Sequence, residues 1–189
     1  MKTVIGTGAT SGIGFEVCKL LSDSFCIIGI GRNPQRCEDA KKRLLQHNSG
    51  ADITFFCADM MHLSSLKNLC DMLTQHLQDK CGGQLYALIN NAGCVKSWYS
   101  TTEDGYEQQF ALNHLASFYM TYRLINYLGN NGRILFTGSL SHKMTKIRWN
   151  NIMLRKRYNP LFAYKQSKLC NILFAYELNR RYGGKGIRA

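Results

Sequence analysis

Short apolar runs alternate with amphipathic stretches from one end of the chain to the other. Val4-Ile5-Gly6 reads as a strand, and a helical pattern follows from about Ile13 to Leu21, with Phe15, Val17, Cys18, Leu20 and Leu21 on the helical period. Phe25 to Ile30 is a buried strand. Asn33-Pro34 is a cap followed by proline at the first helical position, and starts a helix to about Gln46. Ser49-Gly50 then separates that helix from a third strand, Ile53 to Cys57, and an amphipathic helix follows, Leu63 to Leu77, closed by Gly82-Gly83. Leu85 to Ile89 is the fourth strand, Thr102 to about Leu128 a long, bent helix, and Asn130-Asn131-Gly132 turns the chain into a fifth strand, Arg133 to Thr137. After a basic loop, Pro160 introduces a last helix, Leu161 to Tyr182, ending at Gly183-Gly184. Strict alternation of this kind predicts an α/β fold: one doubly wound parallel sheet with helices on both faces, formed by residues 1–189 as a single domain.

Composition narrows this further. The 189 residues are 45% hydrophobic and 19% charged, as in globular proteins, and no apolar stretch nears the ~20 residues that cross a bilayer. The first apolar run is already the first strand, so neither signal peptide nor anchor is expected before it, and the chain reads as cytoplasmic with at most peripheral membrane contact. Eight cysteines with no C-x-x-C pair argue against a metal site or disulfide framework, and Cys26 and Cys57 read as small buried hydrophobes. The net charge of +12 is concentrated after residue 139, where Lys143, Lys146, Arg148, Arg155, Lys156 and Arg157 surround Trp149 and Tyr158. A solvated loop is the simpler reading of that segment, and nucleic acid is not expected as a partner.

Candidate chemistry clusters where parallel strands end, the place where ligands bind in open α/β sheets. After the first strand comes Thr7-Gly8-Ala9-Thr10-Ser11-Gly12-Ile13-Gly14, whose glycines permit a tight turn and a close backbone approach. The free N–H groups of the helix that starts there attract phosphate. The other strands end in Gly31-Arg32-Asn33, Ala58-Asp59-Met60, Asn90-Asn91-Ala92-Gly93 and Gly138-Ser139. An acid after the second strand would hold the ribose hydroxyls of NAD; Arg32 stands there instead, with Arg36 nearby, and suits a 2′-phosphate. NADP(H) is therefore expected ahead of NAD(H). On the last helix Tyr164 and Lys168 are four residues apart and share a face. An ammonium ~4 Å from a phenol favours the phenolate by roughly 4 kcal/mol at an effective dielectric near 20, before desolvation opposes it, which brings tyrosine toward useful acid–base range.

Taken in order, Thr7-Gly8-x-x-x-Gly12-Ile13-Gly14, Asn90-Asn91-Ala92-Gly93, Asn113, Ser139 and Tyr164-x-x-x-Lys168 resemble the short-chain dehydrogenase/reductase superfamily, classical type. Phe110-x-x-Asn113-His114-Leu115 and Ala163-Tyr164-x-x-Ser167-Lys168-Leu169-x-Asn171 are similar to its retinol-dehydrogenase-like group. The resemblance implies a Rossmann-type sheet and an NADP(H)-dependent oxidoreductase that interconverts a carbonyl and an alcohol. Tyr164 would be the general acid/base, Ser139 would bind the substrate oxygen, Lys168 would hold the ribose, and Asn113 would support a proton-supplying water. Gly8, Thr10, Ser11, Gly12, Ile13, Gly14, Arg32, Asn33, Asp59, Met60, Asn90, Ala92 and Gly93 would bind the cofactor together with Tyr164 and Lys168, Asp59 at the adenine and Asn90 at its ribose. His114 reads as structural, and Trp98 and Tyr99 as candidate lining for a small or lipophilic carbonyl or alcohol.

The resemblance also implies strands and a substrate-covering segment after Ile187-Arg188-Ala189, so the sequence reads as a C-terminally truncated member. A cofactor-binding but inactive interaction module is the alternative. Homo-oligomers would pair through the two long helices, at Tyr119, Tyr122, Phe174 and Leu178.

Overall fold

The computed structural model describes residues 1–189. Five parallel strands, β1 (Lys2–Thr7), β2 (Phe25–Gly31), β3 (Ile53–Cys57), β4 (Leu85–Asn90) and β5 (Leu128–Phe136), form one sheet in the order β3-β2-β1-β4-β5. The chain leaves β1 in one direction to build β2 and β3, then returns to the other side for β4 and β5, so a crevice opens above β1 where the order reverses. Helices α1 (Gly12–Leu21) and α2 (Pro34–His47) cover one face, and α3 (Leu63–Lys80), α4 (108–124) and α5 (Pro160–Tyr182) the other.

Register explains why the strands read as unbroken apolar runs. Val4 pairs with Ile27 and Ala87, and all three point to the face under α1 and α2; Ile5 pairs with Ile28 and Leu88 and points to the face under α3, α4 and α5. The central strands β1, β2 and β4 are buried on both sides along most of their length. The larger core joins these residues to Leu66, Leu69, Leu73 and Leu77 of α3 and Met120 and Leu124 of α4, each burial contributing about 1.5–3 kcal/mol. No helix is long and apolar enough to cross a membrane.

Several boundaries differ from expectation, each for a local reason. The α4 helix begins at Gln108, not Thr102. Gly105 takes φ 81° in a turn closed by Thr102 N donating to Tyr106 O, and the buried Glu107 carboxylate then accepts from Gln109 N and Phe110 N as the cap. Inside α4, residues Ala111–Leu115 form a π-helical turn between the α-helical segments Gln108–Phe110 and Ala116–Leu124. The Asn130-Asn131-Gly132 turn lies within β5, with Asn131 at φ 67° and a register shift against β4. Arg188 pairs in parallel with the outer edge of β5.

Both helices predicted to start at proline do so, with Asn33 and Asn159 accepting cap bonds from Arg36 N and Phe162 N. The basic segment is less free than a solvated loop. Arg148 N donates to the buried Gln166 of α5, whose amide donates to Ile152 O, and the Arg148 guanidinium stacks 4.0 Å from the Phe162 ring.

Cys57 is exposed because β3 is the sheet edge, a position that an apolar run does not reveal, and Cys26, near the start of β2, is half-buried. Leu178, expected on an outer face, is in the core; Tyr119 and Phe174 are half-buried and Tyr122 is exposed.

Candidate active site

The glycine turn is built as its sequence requires. Gly8 and Gly12 have φ 66° and 54°. A Cβ on Gly14 would meet the Gly8 carbonyl and come within 2.6 Å of Asn91 Nδ2, whereas one on Gly12 would meet nothing within 4 Å. Ser11 is extended and its side chain makes no cap bond, so the first-turn amides of α1 keep their donors for a ligand. Thr7 Oγ1 accepts from Asn91 N (3.0 Å) and Ala92 N (2.9 Å), and Thr137 Oγ1 donates to Asn91 Oδ1 (3.0 Å). The ends of β1, β4 and β5 are thereby tied together.

A cleft of about 230 Å³ lies across these strand ends. Gly8, Thr10 and Ser11 form one wall; Arg32, Asn33 and Arg36 a second; Asp59 and Met60 a third; Ala92 and Gly93 close it. Neither Arg32 nor Arg36 is engaged in an ion pair. Asp59 Oδ1 accepts from Met61 N at 2.9 Å, fixing the turn after β3.

The other predicted binding residues lie behind or beside this cleft. Gly12 and Ile13 are exposed at the start of α1, Gly14 is buried under the turn, and Asn90 is buried with its amide 3.5 Å from Thr121 Oγ1 and its Oδ1 without a protein partner. Cys94 and Leu112 line the cleft without having been anticipated.

Beyond Gly93, α5 brings the acid–base candidates next to the cleft. Lys168 is buried to 4% exposure, its Nζ donates to Thr137 O at 2.8 Å, and it lies 5.5 Å from the centre of the Tyr164 ring. Burial pushes its ammonium below the usual lysine range. A Cβ on Gly93 would come within 3.1 Å of Asn113 Oδ1 and 3.7 Å of Lys168 Nζ, which places the strand-four loop, the π turn and α5 around one point.

Asn113 sits in that π turn, and its amide is spent on protein partners. Oδ1 accepts from Cys94 N (2.7 Å), while Nδ2 donates to Cys94 O (3.0 Å) and Ser167 Oγ (3.1 Å). Ser167 Oγ in turn donates to Tyr164 O at 2.8 Å. Asn171 Nδ2 donates to the Asn113 carbonyl at 2.8 Å, and its Oδ1 meets His114 Nδ1 at 2.9 Å. Thus Tyr164, Lys168 and Asn113 are held as one unit. Ser139 stands two residues beyond Thr137, but its hydroxyl pairs with Ser141 Oγ at 2.8 Å and not with the phenol.

His114 lies between Phe110, Phe118 and Phe174, and burial lowers its pKa, as a structural histidine requires. Tyr99 packs edge-on against Tyr158, and Trp98 is exposed to solvent. Ser167 and Asn171 had no role assigned from the sequence. Their signal was the spacing 164, 167, 168, 171, which puts four polar side chains on one helical face. The Glu107–Tyr158–Gln109 network, which fastens the start of α4 to the segment before α5, carried no such signal.

Comparison with known proteins agrees with this architecture. The family model for short chain dehydrogenase matches residues 2–189. The chain is 33% identical to mouse (Mus musculus) retinol dehydrogenase 12 over 191 residues, covering 100% of this chain and 59% of that protein. It is 35% identical to chicken (Gallus gallus) WW domain-containing oxidoreductase over 198 residues, covering 98% of this chain and 46% of that protein. The chain therefore spans about half the length of these relatives. A crystal structure of an uncharacterized protein from Mycobacterium paratuberculosis superposes with TM-score 0.86 at 32% identity, covering 100% of this chain and 66% of that one. The landomycin C-6 ketoreductase structure, with bound NADP and rabelomycin, shares the fold at TM-score 0.75 and 21% identity, covering 98% of this chain and 70% of that one.

Proposed function

The chain belongs to the short-chain dehydrogenase family, and on that premise we propose that it is an NADP(H)-dependent oxidoreductase interconverting a lipophilic carbonyl and its alcohol. The observation that carries this reading is the buried Lys168 ammonium beside Tyr164, next to Gly93 of a cleft that also presents Arg32 and Arg36 without acidic partners. The donor set fits a phosphorylated dinucleotide. The unbonded first turn of α1 and the open space at Gly12 suit the diphosphate, and the two guanidiniums suit a 2′-phosphate. NADP in the landomycin ketoreductase and the retinol dehydrogenase names of the relatives point the same way.

When bound, the nicotinamide supplies or accepts the hydride. The protein does the rest. Lys168, anchored on Thr137 O, holds positive charge beside the phenol, and Tyr164 gives its hydroxyl proton to the substrate oxygen during reduction or takes one during oxidation. Ser139, released from Ser141, donates to that oxygen and stabilises its developing charge. Asn113 and Ser167 fix the loop and helix that set the Lys168–Tyr164 geometry. The test is to incubate the chain with a lipophilic aldehyde and NADPH deuterated at the nicotinamide C4. Deuterium is expected on the carbinol carbon of the product; bound cofactor with no labelled alcohol would refute the reading.

A further inference from the structure

Next to the cleft-lining residues Gly31, Arg36 and Ala58 lies a pair of thiols that the proposed hydride chemistry does not use. Cys57 is the last residue of β3 and pairs in register with Gly31, the last residue of β2. Residues paired across parallel strands direct their side chains to the same face. A Cβ on Gly31 would lie 2.7 Å from Cys37 Sγ, so the Cys37 thiol, reaching down from the first turns of α2, occupies the space that the missing side chain leaves. The Cys57 side chain rises next to it on that same face. Cys37 is buried at 5% exposure, while Cys57 is exposed at the sheet edge.

We propose that Cys57 and Cys37 form a reversible dithiol–disulfide site beside the cleft, oxidised by a peroxide. The Cys57 thiolate attacks a peroxide oxygen; the O–O bond breaks, hydroxide or alkoxide leaves, and a sulfenic acid remains on Cys57. The Cys37 sulfur then attacks that sulfenic sulfur, the S–O bond breaks and water leaves with the Cys37 proton. Two thiols lose two electrons and two protons, and the peroxide accepts them.

The division of roles follows from access. Cys57 is exposed and Cys37 is buried, so a dissolved peroxide meets Cys57 first. Burial, reinforced by the neighbouring Cys57 sulfur, pushes the Cys37 thiol up to about 11, so it stays protonated until a sulfenic acid forms beside it. The bond would join the residue before Ala58 to the residue after Arg36, both of which line the cleft, so oxidant level would act on the wall itself. This site does not depend on the proposed oxidoreductase activity, and its test reads sulfur chemistry alone.

Folded protein would be treated with hydrogen peroxide, its remaining thiols alkylated in denaturant, and the product digested with trypsin without reduction. Residues 37–41 and 44–67 are separate tryptic peptides, each with a single cysteine. The expected result is a linked 37–41/44–67 species, two hydrogens lighter than the sum of its parts and abolished by dithiothreitol. In Cys37→Ala the Cys57 peptide should gain two or three oxygens, since no resolving thiol is present. In Cys57→Ser the Cys37 peptide should stay fully alkylated. Oxidation of Cys57 beyond the sulfenic acid with Cys37 still free in the parent protein, or linkage of either cysteine to a different one, would overturn the proposal.

Discussion

Arg32→Ala isolates the interaction on which the cofactor assignment depends. The Arg32 side chain is exposed at the end of β2, lines the cleft and is in no ion pair, so removing it leaves no buried acid uncompensated and the fold should be untouched. Its worth to a bound 2′-phosphate can be bracketed. A unit charge pair at ~4 Å contributes about 1 kcal/mol in bulk water and about 4 kcal/mol at the dielectric typical near a protein surface. A phosphate monoester carries about −1.5 to −2 charges at neutral pH, and Arg36 on the same wall shares it. A loss of about 1–3 kcal/mol is expected, or roughly 5- to 150-fold in NADPH affinity. NADH affinity should hold, because no 2′-phosphate is present to feel the change. The assay is titration of nicotinamide fluorescence with both cofactors, for the parent chain, Arg32→Ala and Arg32→Lys. The lysine variant should fall between the two, keeping the charge and losing the two-pronged bond. The difference between cofactors should also shrink as salt is raised. Equal losses for NADPH and NADH, or no loss at all, would refute the reasoning.

Two glycines of the phosphate turn should respond differently to the same change. Gly14→Ala drives a Cβ against the Asn91 side-chain amide and the Gly8 carbonyl, backbone that cannot easily give, and should cost about 3 kcal/mol, a fall in Tm of roughly 6–12 °C by calorimetry. Gly12→Ala meets no neighbour and pays only for its φ of 54°, so its loss should be about 1–2 kcal/mol of backbone strain alone, and equal or larger destabilisation than Gly14→Ala would contradict the packing argument. Lys168 gives stability a slope at alkaline pH: burial holds its folded-state pKa below 10.5, so between that lowered value and 10.5 the unfolded chain binds the extra proton and stability rises with pH. Lys168→Met should lose this rise, and identical urea-midpoint slopes for the two proteins would refute it.

How much of this was legible in the sequence differs between elements. The central strands were legible because both faces are buried and the apolar runs are unbroken, and α2 and α5 because asparagine before proline caps a helix; β5, where Asn130 and Asn131 are polar and exposed, was legible only from Arg133 on. The start of α4 was not. Thr102 to Glu107 carry a helical pattern, but Gly105 in a left-handed turn and the inward carboxylate of Glu107 override it. The π turn is imposed from outside, by Cys94 and Asn171, which are 19 and 58 residues away from Asn113.

Within the site, the Tyr164–Lys168 juxtaposition follows from helical spacing and could be read directly. The pairing of Ser139 with Ser141, and the placement of Asn113 as a tie between loop and helix, depend on how strand ends meet, which no local pattern records. The burial of Cys57 was misjudged for the same reason, since strand order decides which strand is an edge.

Turnover of a lipophilic aldehyde by NADPH, compared between the parent chain and Tyr164→Phe, tests the central claim most directly. The substitution removes one oxygen and leaves the Lys168–Thr137 bond and the Ser167 contact with the Tyr164 carbonyl in place. The account predicts that kcat falls about 10²- to 10⁴-fold, as expected for loss of a general acid, while NADPH affinity falls far less. Undiminished turnover by Tyr164→Phe, or no turnover by the parent chain, would contradict it.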